Sequence, residues 1–138
     1  MFTKLRPSAL ALLLANSPAA GEPDGAALYA EHCAACHGAD LEGEPNWREA
    51  NPDGTFPAPP HDDSGHTWHH ADPMLRDYVR LGGAEALRRM GVTSVVSAMP
   101  GFGDAMTDPE IEAVLDFIKS SWSPRMRDHQ QIITENAK

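Results

Sequence analysis

The residues with the most chemistry to offer are Cys33-Ala34-Ala35-Cys36-His37, which contain both cysteines of the chain. Two thiols separated by two residues can each add to one of the two vinyl groups of a haem. The histidine that follows is then set beneath the iron as the proximal ligand. Redox dithiols and zinc sites use the same spacing. A redox dithiol opens a helix after a β-strand in a βαβ unit, and no β-rich run flanks the motif here. A zinc site wants a second pair of cysteine or histidine ligands at finger spacing, and the chain has no further cysteine. One covalent haem c is therefore the expected cofactor, attached through Cys33 and Cys36 with His37 on the iron.

The opposite iron position decides between electron transfer and small-molecule chemistry. Six methionines and seven histidines compete for it. Met1 falls in a leader segment, Met74, Met90 and Met126 read as core or surface residues, and Met106 reads as packing under the C-terminal helix. Met99 differs, because Pro100 keeps the chain extended and stiff there and the residue belongs to no helical repeat. It also lies far enough beyond His37 to return across the other haem face. A thioether is a soft ligand that favours ferrous iron, so Met99 is the expected second axial ligand.

Residues 61–70 hold four histidines, His61, His66, His69 and His70, with Asp62, Asp63 and Asp72 close by. Imidazoles suit copper, zinc or nickel, so a second metal on these four side chains is one reading. The favoured reading is a loop at the haem edge, because Gly65 and the helix start at Asp72-Pro73 disfavour a helix over 61–70. In such a loop Trp68 and a histidine would hydrogen-bond the haem propionates.

Helices must position these groups. Asp24 can cap a helix from Gly25 towards the cysteines, with Leu28, Tyr29 and His32 on one side. Gly38 to Gly43 reads as a turn, and the prolines up to Pro59-Pro60 make the following segment irregular, able to offer a backbone carbonyl to the proximal histidine. Asp72-Pro73 is expected to cap a helix that Gly82-Gly83 ends, with another turn or two over Glu85 to Met90. Thr107-Asp108-Pro109-Glu110 is a capping box, followed by Ile111, Val114, Leu115 and Ile118 at the spacing of a buried helical face. The remainder, 124–138, is polar, either a short helix aligning Met126, Gln130 and Ile133 or a tail. Strands are nearly absent, so the fold class is all-α.

Residues 1–20 read as a cleaved signal peptide, with Lys4 and Arg6 before an apolar run and small residues at Ala19 and Ala20. The apolar run is too short to span a bilayer, which needs about 20 residues. The organisation expected is a signal peptide over 1–20, a haem domain over 21–123 and the polar C-terminal segment. Export points to the periplasm, with no stable membrane insertion after cleavage. Losing Lys4 and Arg6 takes the formal charge from −9 to −11, which argues against nucleic acid as a partner and suits a basic patch on another protein.

Taken together, Gly25-x-x-Leu28-Tyr29, Cys33-Ala34-Ala35-Cys36-His37-Gly38, Pro57-Ala58-Pro59-Pro60, Met99-Pro100-Gly101-Phe102 and Thr107-Asp108-Pro109-Glu110-Ile111 resemble a class I bacterial cytochrome c from about Gly25 to Trp122. The resemblance implies the cytochrome c fold, helices and loops around one haem, with His37 and Met99 as axial ligands. It implies that Gly25 and Tyr29 cross against Val114 and Phe117, and that the carbonyl of Pro59 or Pro60 accepts the His37 ring hydrogen bond. The implied role is single-electron transfer, without catalysis, between periplasmic or membrane redox proteins such as a dehydrogenase or a terminal oxidase. Two alternatives stand beside it: a haem protein with an exchangeable sixth ligand, acting as sensor or oxidoreductase subunit, and a metal-handling protein using the 61–70 histidines. The stretch His66-Thr67-Trp68-His69-His70, the closing Ser121-Trp122-Ser123-Pro124-Arg125 and the tail exceed the family pattern.

Overall fold

Helix α1, Gly25–His32, starts where Asp24 turns extended and accepts a hydrogen bond from the Ala27 N–H at 3.1 Å. Its C-terminal residue leads into Cys33, and α2, Ala34–His37, is a single turn closed by Gly38 at φ 82°. The computed structural model describes residues 21–137, and the signal peptide expected over 1–20 lies outside them. Four more helices follow among the described residues: α3 (Asp72–Leu81), α4 (Gly83–Arg89), α5 (Asp108–Ser120) and α6 (Pro124–Asn136). A 3-10 turn, Thr67–His69, precedes α3. Among the described residues there is no strand, only an isolated parallel bridge between Thr55 and Val96. The all-α expectation holds.

The core forms where α1 crosses α5. Tyr29, Ile111 and Val114 are fully buried there, and Leu115, Ile118 and Met106 join them. Gly25 is required at the crossing, since a Cβ on it would sit 2.0 Å from the Ala113 carbonyl oxygen and 3.2 Å from Phe117 Cβ. Tyr29 lies 5.3 Å from the Phe117 ring, as the expected crossing requires. At the head of α5 the Glu110 carboxylate accepts both the N–H and the hydroxyl of Thr107 at 2.7 Å.

Two helix boundaries differ from expectation. Ala71, not Asp72, is the cap of α3, and Asp72 is already helical with Pro73 in the first turn. Its carboxylate is used elsewhere: Lys119 Nζ lies 2.7 Å from one oxygen and Gln130 Nε2 donates to the same oxygen at 2.6 Å. Gly82 does end α3, at φ 82°, but Gly83 starts α4 rather than reinforcing the stop. The pair has a packing reason, because a Cβ on Gly82 would meet Gly101 N at 2.7 Å and Met99 O at 2.9 Å. The chain around Met99 thus lies directly on the α3–α4 corner. Arg76 and Arg80 of α3 pair with Glu112 and Asp108 of α5.

The C-terminal segment is a helix docked on the 3-10 turn. Gln130 is 5% exposed and its amide reaches the His70 carbonyl at 3.1 Å, Asp72 Oδ1 at 2.6 Å and Thr134 Oγ1 at 3.0 Å. Met126 and Ile133 flank it half-buried, the alignment expected of a helix there. Among the described residues no helix is long and apolar enough to cross a membrane.

Candidate haem site

The motif occupies one helical turn. His37 N–H donates to the Cys33 carbonyl at 2.9 Å and Cys36 N–H to the same oxygen at 3.1 Å, which places both thiols on one side of the turn. Cys36 is exposed and Cys33 half-buried, neither in a disulfide. Burial, and then the neighbouring Cys36, push the Cys33 thiol up to about 11. A catalytic dithiol has its nucleophilic thiol lowered instead, so the redox-dithiol reading finds no electrostatic support. Tyr29 closes the turn from below by donating its hydroxyl to the Gly38 carbonyl at 2.9 Å.

His37 is buried, at 7% exposure, and its Nδ1 lies 2.9 Å from the Pro59 carbonyl oxygen. A carbonyl only accepts, so Nδ1 carries the proton and Nε2 is the nitrogen left to coordinate. Between the two prolines considered, the bond goes to Pro59. Burial lowers the His37 pKa, against the opposing pull of the Pro59 bond and of Glu44, so the ring is held in the neutral form a metal ligand requires.

Met99 is half-buried on the rim of the core, as are Leu28, Cys33, Trp68 and Phe102. Its carbonyl accepts the Gly83 N–H at 3.0 Å, and its N–H donates to Ser97 Oγ at 3.2 Å. The loop beyond it is pinned by Phe102 N–H to the Val79 carbonyl at 2.8 Å and Gly103 N–H to the Arg80 carbonyl at 3.0 Å. Backbone bonds to α3 and α4 therefore fix this loop without help from the Met99 side chain.

Trp68 Nε1 is buried and has no hydrogen-bond partner. An orphaned donor of this kind costs about 1–3 kcal/mol unless an acceptor is supplied. Haem carboxylates are acceptors, so the residues present fit the group: two thiols, a neutral imidazole, a thioether, apolar walls and a waiting donor.

The histidines of 61–70 are not gathered on a metal. His61 turns inward, its ring stacked on His37 with centroids 4.0 Å apart, and its Nδ1 lies 2.8 Å from Thr67 Oγ1. His66 stacks on Trp47 at 5.4 Å, His70 meets the edge of His66 at 5.3 Å, and His69 lies 3.7 Å from Trp68. Only His69 belongs to the 3-10 turn, His66 and His70 flank it and His61 precedes it, and each ring has an aromatic neighbour. Among the described residues no group of three His, Cys, Asp or Glu side chains could hold a metal ion. Burial, before the neighbouring histidines, lowers the pKa of His61, His66 and His70. Two features were missed in the sequence. His61 follows Pro60 directly, which is the signal that could have placed it beside the proximal ligand, whereas His129 of α6, against Trp68 and His69 at 5.5 and 5.6 Å, left none.

Comparison with protein families supplies the deciding match: the cytochrome c family profile covers residues 23–122. The chain belongs to the cytochrome c family. As a cytochrome c it is a haem-binding electron-transfer protein whose cofactor is a covalent c-type haem, and the span matched fits one haem. No curated protein and no solved structure matches it. The match stops at Trp122, so α6, which bonds to His70 and Asp72, lies outside the family's span.

Proposed function

We propose that this cytochrome c is an exported, periplasmic carrier of single electrons, with its haem joined to Cys33 and Cys36 and its iron held by His37 and Met99. The observation that carries the reading is the His37 ring, buried, neutral and bonded through Nδ1 to Pro59 immediately after two thiols on one helical turn. Bound there, a haem supplies one-electron exchange between ferrous and ferric iron. The protein's part is to orient the imidazole through Pro59, to bring a soft sulfur from a loop pinned on α3 and α4, and to offer Trp68 Nε1 to a haem carboxylate. No side chain moves a proton and no substrate bond breaks. The chain's formal charge of −9 favours a redox partner with a basic docking face, such as a dehydrogenase or a terminal oxidase.

The axial assignment is tested on the ferric holoprotein. Wild type should be low-spin, show the weak far-red band of thioether ligation and leave carbon monoxide unbound in the ferrous form. Met99→Ala should lose the band and bind carbon monoxide. A wild-type protein that is high-spin and binds carbon monoxide readily would refute Met99 ligation.

A further inference from the structure

We propose that His61 is a positioning residue for the proximal ligand: stacked on His37 and tied to Thr67, its ring fixes the plane of the His37 imidazole. The inference rests on the haem reading above. A single hydrogen bond from Nδ1 to Pro59 holds His37 at one corner and leaves it free to swing about the bond joining ring and backbone. A second flat ring, 4.0 Å away between centroids and inclined by only 23°, removes that freedom. Face-to-face packing of this kind restrains orientation, where an aliphatic neighbour would only fill space.

The wall can do this because it is itself anchored to rigid parts of the fold. The His61 N–H donates to the Leu41 carbonyl at 2.8 Å, and the His61 carbonyl accepts from Trp122 Nε1 at 2.7 Å. Trp122 is 2% exposed and follows α5, while Leu41 belongs to the turn leaving the haem motif, at a positive φ of 67° unusual for leucine. The ring's Nδ1 lies 2.8 Å from the buried Thr67 hydroxyl, and Tyr29 meets it edge-on at 6.3 Å. Segments from both ends of the domain thus converge on a residue that touches the proximal ligand without ligating anything. Groups beyond the ligands orient metal-bound histidines, and their removal typically costs about 10–100-fold in metal affinity or activity.

The test compares ferric holoproteins by electron paramagnetic resonance, by the spread of the haem methyl resonances and by reduction potential. The orientations of the axial ligands set the in-plane magnetic anisotropy of ferric haem. The Met99 loop is held by α3 and α4 rather than by His61, so a change on His61→Ala reports the His37 plane. His61→Ala should change the methyl spread and alter the ferric-to-ferrous preference by about tenfold, which is about 59 mV for one electron. His61→Phe, which keeps a flat ring but loses the bond to Thr67, should recover most of the wild-type spread and match Thr67→Val. Thr67→Val, which leaves the ring but cuts its tether, should change the spread in the same direction as His61→Ala and by less. The proposal is overturned if a folded His61→Ala keeps the wild-type spread and potential. If that variant does not fold, an unchanged spread in Thr67→Val overturns it. A wild-type spectrum without histidine ligation would instead remove the proximal assignment, and this inference with it.

Discussion

Replacing Gln130 by alanine should release α6 without unfolding the haem domain. The Gln130 amide nitrogen faces three acceptors, the His70 carbonyl, Asp72 Oδ1 and Thr134 Oγ1, but carries only two hydrogens. Two bonds at once is therefore the ceiling, one of them to a carboxylate. A bond to a charged group is worth about 1.5–3 kcal/mol and a neutral one about 1 kcal/mol, so the loss is about 3 kcal/mol. Asp72 keeps Lys119, which limits the cost of leaving its carboxylate behind. Because α6 rests on the 3-10 turn rather than in the α1–α5 core, the loss should appear as local opening. Hydrogen exchange on the holoprotein would show it: amides of α6 exchange about a hundredfold faster in Gln130→Ala, while those of α5 keep their protection. Equal acceleration in α5 and α6 would refute the view that α6 is a separately opening unit. No acceleration at all would refute the bond count.

Gly25→Ala should destabilise the whole protein by about 3 kcal/mol, the upper range for overpacking, because the new Cβ meets a backbone oxygen that cannot turn aside. A lower denaturation midpoint with unchanged m-value would bear this out, and wild-type stability would contradict it. The docking of α6 should also weaken in acid. Burial raises the Asp72 pKa, but the bonds from Lys119 and Gln130, with the charges of Lys119 and Arg76, outweigh it and hold the carboxylate below its usual range. A depressed carboxylate contributes stability in full above its unfolded value of about 3.9, and that contribution is lost as pH falls through the folded value. Protection of α6 amides, measured against their intrinsic exchange rates, should therefore fall below about pH 4 in wild type, and Asp72→Asn should flatten that dependence. A profile unaffected by the substitution would exclude Asp72 as its source.

How much was legible in the sequence depended on whether a signal was local. The cap of α1, the Thr107–Glu110 pair and the buried stripe Ile111, Val114, Leu115 and Ile118 depend on spacing within a few residues, and all hold. The proximal pairing of His37 with a proline carbonyl was legible as a need, though the choice of Pro59 depends on how the loop folds back. Asp72 was misplaced as a cap because its preference as a short acidic side chain was overridden by partners from α5 and α6. The histidines of 61–70 left two readings open, a haem-edge loop and a second metal, because their number does not give their direction; their rings lie against Trp47, Trp68, Thr67 and His37. Gln130 was aligned with a helical face, yet two of its acceptors, on His70 and Asp72, lie 60 and 58 residues back, where no spacing rule reaches.

The isolated bridge between Thr55 and Val96 has a consequence for speed. Thr55 lies just upstream of Pro59, which holds His37, and Val96 just upstream of Met99, so with Met99 on the iron as proposed, one backbone contact would join the segments serving both axial ligands. An electron crosses fastest when the atoms around it need not rearrange to accept the new charge. Two separately hinged loops would each relax after every transfer, adding to the barrier of the next. Fastened to one another they would relax together, and the one β-contact among the described residues would help keep the iron's surroundings alike in both oxidation states.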